Sequence, residues 1–108
     1  MAEFTFNDII DMQHTLQERY KDRWEPLNPE GSVAKLLWLV GEICEVSDII
    51  KKNGAEAANS DPALRANIVE ELADVLMYYG DVLLCFGVTS DELRDAYISK
   101  FKRNMTRW

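Results

Sequence analysis

The sequence predicts a single all-α domain built from four helices. Apolar residues recur at the spacing of three and four positions that is typical of amphipathic helices. Only 5 glycines and 3 prolines occur in 108 residues, which argues against a fold that needs many tight turns. A capping residue stands before each of the four periodic segments. The length corresponds to one domain over residues 1–108.

The first helix is predicted from about Asn7 to Arg23, with Asn7 as its N-cap. Its apolar residues share one face. They are Phe4, Phe6, Ile9, Ile10, Met12, Leu16 and Tyr20. Residues 24–31 contain two prolines and a glycine, so the helix cannot continue through them.

The second helix is predicted from Ser32 to Asn53. Ser32 is the expected N-cap, and Gly54 suits the left-handed position that follows a helix. Residues 55–60 are small and polar, and they are predicted to form a linker.

The third helix is predicted to begin after Asp61, with Pro62 in its first turn, where proline is tolerated. It runs to Phe86 and ends at Gly87.

The fourth helix follows a capping box formed by Thr89 and Glu92, and it is predicted to reach about Asn104. The remaining residues 105–108 are too few for an element of their own, and they are predicted to be mobile until substrate binds.

Charge and composition exclude several classes of partner. The chain has 12 basic and 19 acidic residues, a net charge of −7, which excludes duplex nucleic acid because that affinity depends on neutralising phosphates. The sequence has neither an apolar run long enough to cross a membrane nor a secretory signal, so no membrane partner is expected. Two cysteines in such a chain indicate reduced thiols and a cytoplasmic location.

Two pairs of acidic residues occupy unexpected positions on the second and third helices. Glu42 and Glu45 are three residues apart, as are Glu71 and Asp74, so each pair lies on one helix face. Large apolar residues flank both pairs. A buried, unpaired ion costs several kcal/mol, so basic partners or a divalent cation must compensate these acids. Few basic residues lie near them, and an all-oxygen set suits Mg²⁺ or Mn²⁺.

The motifs together resemble those of the MazG-like all-α nucleoside triphosphate pyrophosphohydrolases, and most closely those of small dCTP pyrophosphatase-like enzymes. The resemblance consists of an ExxE pair, Glu42 and Glu45, followed on the next helix by the ExxD pair, Glu71 and Asp74. The chain has Gly41 where the broader family often has a further glutamate. Three other matching positions are Tyr78, Lys100 and Asn104, the last two within a KxxxN motif.

The resemblance implies a four-helix MazG-like bundle that hydrolyses a (deoxy)nucleoside triphosphate between the α- and β-phosphates, for sanitation of the nucleotide pool. It implies that the four acids hold Mg²⁺, with Mn²⁺ as a substitute, and perform catalysis. Lys100 and Asn104 are expected to contact phosphate or sugar. Trp38 and Tyr78 are expected to contact the base. Two alternatives remain open: a non-catalytic helical interaction module, and a phosphoribosyl-ATP pyrophosphohydrolase.

Homo-oligomerisation is expected to complete the bundle. A chain of this length buries about 60–70% of its unfolded surface. The second and third helices are apolar over more than half of their circumference, more than two short flanking helices can cover. We therefore expect a homodimer or a dimer of dimers, in agreement with the resemblance.

Overall fold

The fold is entirely helical in the part of the chain that the computed structural model describes, residues 3–108. A short 3₁₀ turn precedes the second of five helices. The helices are α1 (Phe6–Arg19), α2 (Ser32–Asn53), α3 (Ala55–Ser60), α4 (Pro62–Cys85) and α5 (Ser90–Arg107), and the 3₁₀ turn is Pro29–Gly31. The predicted all-α class is confirmed. Among these residues no single helix is long and apolar enough to cross a membrane.

The first helix begins earlier and ends earlier than predicted. Thr5 is its N-cap, because the Thr5 hydroxyl accepts from the Asp8 amide at 3.3 Å while the Asp8 carboxylate accepts from the Thr5 amide at 2.8 Å. This reciprocal pair is a capping box, and it outcompetes Asn7, the predicted cap. The Asn7 carboxamide instead accepts a hydrogen bond of 2.7 Å from the Ser90 hydroxyl. The helix ends at Arg19.

The predicted bounds of α2 are confirmed, but its predicted N-cap is wrong. Ser32 is the first helical residue, and its hydroxyl donates to the carbonyl of Pro29 at 2.6 Å. The chain enters α2 through the 3₁₀ turn, whose cap is Asn28. At the other end Gly54 has a positive φ of 86°, which favours glycine, but its ψ of 147° differs from the left-handed helical conformation predicted for it.

Residues 55–60, predicted as a linker, form the short helix α3. The segment has three alanines, the best helix former, and the Ser60 hydroxyl donates back to the Glu56 carbonyl at 2.9 Å. Ala58 is buried and anchors this turn against the long helices. The Asp61 cap and the proline in the first turn of α4 are both confirmed.

The last helix runs three residues further than predicted and reaches Arg107. Residues 105–107, predicted to be mobile, are therefore helical. Helix α5 turns away from α4 by 108° and packs on α1. Its apolar side chains Tyr97, Ile98 and Phe101 are exposed in the single chain.

The long helices α2 and α4 form the centre of the fold and run antiparallel, with α1 packed on α4. Their outward faces remain uncovered. The exposed apolar residues of these faces include Val33, Leu36, Leu37, Val40 and Ile43 on α2 and Val69, Leu72 and Leu76 on α4. The accessible surface is 8274 Å², whereas a compact monomer of this size exposes about 6,100 Å². The radius of gyration is 16.4 Å, against about 13 Å for a compact domain.

Candidate metal centre

Three carboxylates from two helices converge at one point between α2 and α4. Carboxylate oxygens of Glu42, Glu45 and Glu71 all lie within 4.8 Å of one another. The antiparallel pairing of the helices produces this convergence, because the two pairs with a spacing of three residues face each other. Asp74, the fourth predicted ligand, lines the same groove as Glu42. We call Glu42, Glu45, Glu71 and Asp74 the acid end of the groove.

Two oxygens of the acid end are buried without a donor. Glu42 Oε2 and Glu71 Oε2 are both inaccessible to solvent, and neither has a hydrogen-bond partner within residues 3–108. An unsatisfied buried polar atom costs about 1–3 kcal/mol, and more when it is charged. The cluster therefore needs either a proton or a cation.

The protonation of Glu71 shows how the protein compensates without a cation. A proton on Glu71 can hydrogen-bond to Glu42 and Glu45, and this sharing, with burial and the negative charges of both neighbours, raises the pKa of Glu71 from 4.5 to about 7. Such a shift is typical of carboxylates forced to share a site. The cluster thus holds a proton at a pH where an isolated glutamate would have lost it.

Basic side chains do not compensate the acid end. The ion pairs of the described chain join Lys21 to Glu18 and Arg94 to its neighbours Asp91 and Asp95, all on the exposed surface. None of them involves the four acids. Buried carboxylate oxygens without donors, converging from two rigid helices, fit a hard divalent cation with oxygen ligands. The residues present therefore suit Mg²⁺ or Mn²⁺.

An aromatic pair lies next to the acid end. The ring centroids of Trp38 and Tyr78 are 6.0 Å apart, and the ring planes are inclined by 53°. Burial raises the pKa of Tyr78, and the negative charge of nearby Glu42 raises it further. Both side chains line one groove of about 540 Å³, a volume suited to a small ligand. The two residues thus lie beside the acids, and their expected contact with the base stays a prediction.

A second polar cluster at the other end of the groove was not predicted. Asp81 is buried, and its Oδ1 accepts from Gln13 Nε2 at 2.7 Å and from Gln17 Nε2 at 2.9 Å. Burial raises the pKa of Asp81, while the two amide donors and the positive charge of Lys35 oppose that rise. Lys35 is itself 1% exposed. We call Gln13, Gln17, Lys35 and Asp81 the polar end.

The spacing in the sequence could have revealed half of the polar end. Lys35 lies seven residues before Glu42, and Asp81 lies seven residues after Asp74, so both continue the helix faces that carry the acids. The two glutamines gave no such signal, because their role depends on how α1 packs against α4.

Two predicted substrate contacts lie outside this groove. Lys100 and Asn104 are on α5, and among residues 3–108 neither lines the groove. Lys100 is exposed, whereas Asn104 Oδ1 is buried without a hydrogen-bond partner in the described chain. A single protomer therefore does not bring the KxxxN motif to the acids.

Comparison with known proteins gives one match. The model of the MazG nucleotide pyrophosphohydrolase domain matches residues 31–104, a span that contains the acid end and the KxxxN motif. No curated protein and no solved structure matches the chain.

Proposed function

Because the chain belongs to the MazG nucleotide pyrophosphohydrolase family, we propose that it cleaves a (deoxy)nucleoside triphosphate between the α- and β-phosphates. The products are the nucleoside monophosphate and pyrophosphate, and the proposed role is sanitation of the nucleotide pool in the cytoplasm. The observation that supports this reaction most strongly is the pair of buried, donor-free oxygens on Glu42 and Glu71. A site with that charge suits the magnesium complex of a triphosphate.

In this proposal, Glu42, Glu45, Glu71 and Asp74 hold Mg²⁺ or Mn²⁺. The bound cation would neutralise phosphate charge and polarise the attacked phosphorus. The carboxylates hold more oxygens than a single cation requires, so one glutamate is free to accept the proton of the attacking water. Trp38 and Tyr78 contact the nucleoside, because they line the groove directly beside the acids.

We also propose that the working unit is a homodimer or a dimer of dimers. The accessible surface exceeds that of a compact monomer by about a third. In this proposal the interface uses the exposed apolar faces of α2 and α4 and the apolar side of α5. Helix α5, which turns away from its own α4 by 108°, then lies across a second copy and carries Lys100 and Asn104 to the partner's acids.

Product analysis tests the reaction. The protein is incubated with dATP, dCTP, dGTP, dTTP, dUTP and phosphoribosyl-ATP, each with Mg²⁺ or with a chelator, and monophosphate and pyrophosphate are quantified. We expect both products in equal amounts and only with the cation. Cleavage of phosphoribosyl-ATP alone would favour that alternative, and no cleavage of any nucleotide would favour the non-catalytic module. Preferential cleavage of dCTP would support the dCTP pyrophosphatase-like branch.

Mixing two variants tests the assembly. Lys100→Ala and Glu42→Gln are each prepared alone, then unfolded and refolded together. If Lys100 serves the partner's acids, the mixture forms sites that carry both intact residues, and its activity exceeds that of either variant. Sedimentation at micromolar protein is expected to show dimers or tetramers. A monomer, or a mixture no more active than its components, would contradict the proposal.

A further inference from the structure

The ammonium group of Lys35 lacks an acceptor although the residue is buried. Lys35 is 1% exposed and lines the groove, yet within residues 3–108 its Nζ takes part in no hydrogen bond and no ion pair. Its Nζ lies 5.7 Å from the centroid of the Trp38 ring. A cation over an aromatic face gains some stabilisation, but its three donors remain unused.

Asp81 presents an equally available acceptor beside Lys35. Its Oδ1 is occupied by the two glutamine amides, at 2.7 and 2.9 Å, while Oδ2 receives no hydrogen bond from the described residues. The two amide donors hold the carboxylate through Oδ1, and Asp81 lines the groove, so Oδ2 is the oxygen left to accept from a ligand. The polar end therefore offers one positioned donor and one positioned acceptor.

The distance along the helices matches the length of a nucleotide. Lys35 and Glu42 are seven residues apart, which is about 10 Å along the axis of α2. Asp74 and Asp81 have the same separation on α4. The aromatic pair Trp38 and Tyr78 lies between the two ends. A ligand whose phosphates lie at the acid end would place its base beside the aromatic pair, with the base edge at the polar end.

We propose that the polar end reads the nucleobase and selects bases with a carbonyl next to a ring N–H, namely uracil, thymine, guanine and hypoxanthine. Lys35 donates to the carbonyl oxygen, and Asp81 Oδ2 accepts from the N–H. Adenine has no carbonyl, and cytosine presents an unprotonated ring nitrogen to the carboxylate, so both leave a buried group unpaired. This inference rests on the proposed function.

Substitution of Lys35 tests the donor. Lys35→Met keeps the length of the side chain and removes the charge, and Lys51→Met on the exposed end of α2 is the matched control. In the wild type we expect kcat/KM for dUTP, dTTP and dGTP to exceed that for dATP and dCTP by about tenfold or more. Lys35→Met should lower kcat/KM for the first group by about 10- to 100-fold and leave dATP nearly unchanged. An equal loss for every base would assign Lys35 to the phosphates and overturn the proposal.

Substitution of Asp81 tests the acceptor, and it should change the preference between dCTP and dUTP. In Asp81→Asn the amide oxygen still accepts from Gln13 and Gln17, while the new amino group becomes a donor in place of Oδ2. That donor suits the ring nitrogen of cytosine, so the ratio of kcat/KM for dCTP to that for dUTP should rise at least tenfold. Asp11→Asn, on the exposed side of α1, should leave the ratio unchanged. A ratio that stays the same in Asp81→Asn would contradict the proposal.

Binding of free nucleosides separates this proposal from the reaction. Tryptophan fluorescence of the metal-free protein is titrated with deoxyuridine, deoxyguanosine, deoxyadenosine and deoxycytidine. Tighter binding of the first two, lost in Lys35→Met, supports base selection even if no triphosphate is cleaved. Equal or weaker binding of the first two overturns base selection, even if hydrolysis is observed.

Discussion

The two ends of the groove bury charge in opposite ways. At the acid end, Glu42 and Glu71 have buried oxygens with no donor among the described residues. At the polar end, Asp81 is buried as a whole side chain, whereas Glu42 and Glu71 are half-buried; two glutamine amides donate to Asp81 and a lysine ammonium lies nearby. The same two helices supply both ends. The difference comes from α1, which provides Gln13 and Gln17 to one end and nothing comparable to the other.

The difference in hydrogen bonding between the two ends indicates which of them depends on a ligand for its stability. At the polar end, two glutamine amides already donate to Asp81 Oδ1, so part of the cost of burying this carboxylate is offset within the protein before any ligand arrives. The acid end holds a proton instead, as the pKa of about 7 for Glu71 shows. A cluster that retains a proton at neutral pH exchanges it readily for a divalent cation. We therefore expect substitutions at the two ends to have opposite effects.

The largest expected effect is the loss of turnover in Glu42→Gln. Removing one carboxylate from the acid end weakens cation binding, and the rate should fall by about 100-fold or more. Substituting a residue that only hydrogen-bonds to a metal ligand already costs about 10–100-fold in metal affinity or activity. Steady-state pyrophosphate release measures this loss. Glu70→Gln is the matched control, because Glu70 is exposed and adjacent to the cluster on α4. Near-full activity in Glu42→Gln would remove Glu42 from the ligand set.

The next effect is on stability, and it sharpens the contrast between the ends. Asp81→Ala leaves two buried amide donors without an acceptor, so the free energy of unfolding should fall by about 2–3 kcal/mol. Glu42→Gln should leave the metal-free protein as stable as the wild type or more stable, because it removes a repelling charge. Urea unfolding in the presence of a chelator measures both. If both variants lose stability equally, the two ends do not differ as described.

The smallest effect is the pH dependence of the metal-free protein. The pKa of Glu71 is about 7 in the folded chain and 4.5 in the unfolded chain, so folding favours the protonated form. Stability from this group is present below about pH 4.5 and is lost as the pH rises towards 7. The melting temperature in chelator should therefore fall between pH 5 and pH 8, and Glu71→Gln should flatten the curve. An unchanged slope in Glu71→Gln would assign the pH dependence to another group.

Local signals in the sequence predicted the elements that depend on local chemistry. The bounds of α2 and the start of α4 follow from Gly54, Asp61 and Pro62, whose effects act within one turn. The start of α1 was mispredicted because Thr5 and Asn7 are both good caps, and only the second half of the box, Asp8, decides between them. A short alanine-rich segment is ambiguous without its packing partners, so α3 was missed.

In the candidate site, too, the residues set by local spacing were predicted and those set by tertiary packing were not. Regular spacing predicted that Glu42 and Glu45, and likewise Glu71 and Asp74, share one helix face, since helix faces can be deduced from residue numbers alone. The two hydrogen bonds to Asp81 join residues 64 and 68 positions apart in the chain, and no local pattern encodes them. A single protomer does not bring Lys100 and Asn104 to the acids; in the assembly that we propose, their position depends on an interface between copies of the chain, which no local pattern encodes.

We propose that the acid end exchanges its proton for a divalent cation, and titration with Mg²⁺ tests this exchange most directly. Calorimetric titration of the protein with Mg²⁺ at pH 6.5, in two buffers of different ionisation enthalpy, measures both cation binding and the protons released. We predict binding with release of part of a proton in the wild type and in Glu70→Gln, and binding without that release in Glu71→Gln. No binding at millimolar Mg²⁺, or binding to the wild type without release of protons, would contradict the exchange of a proton for a cation at the acid end.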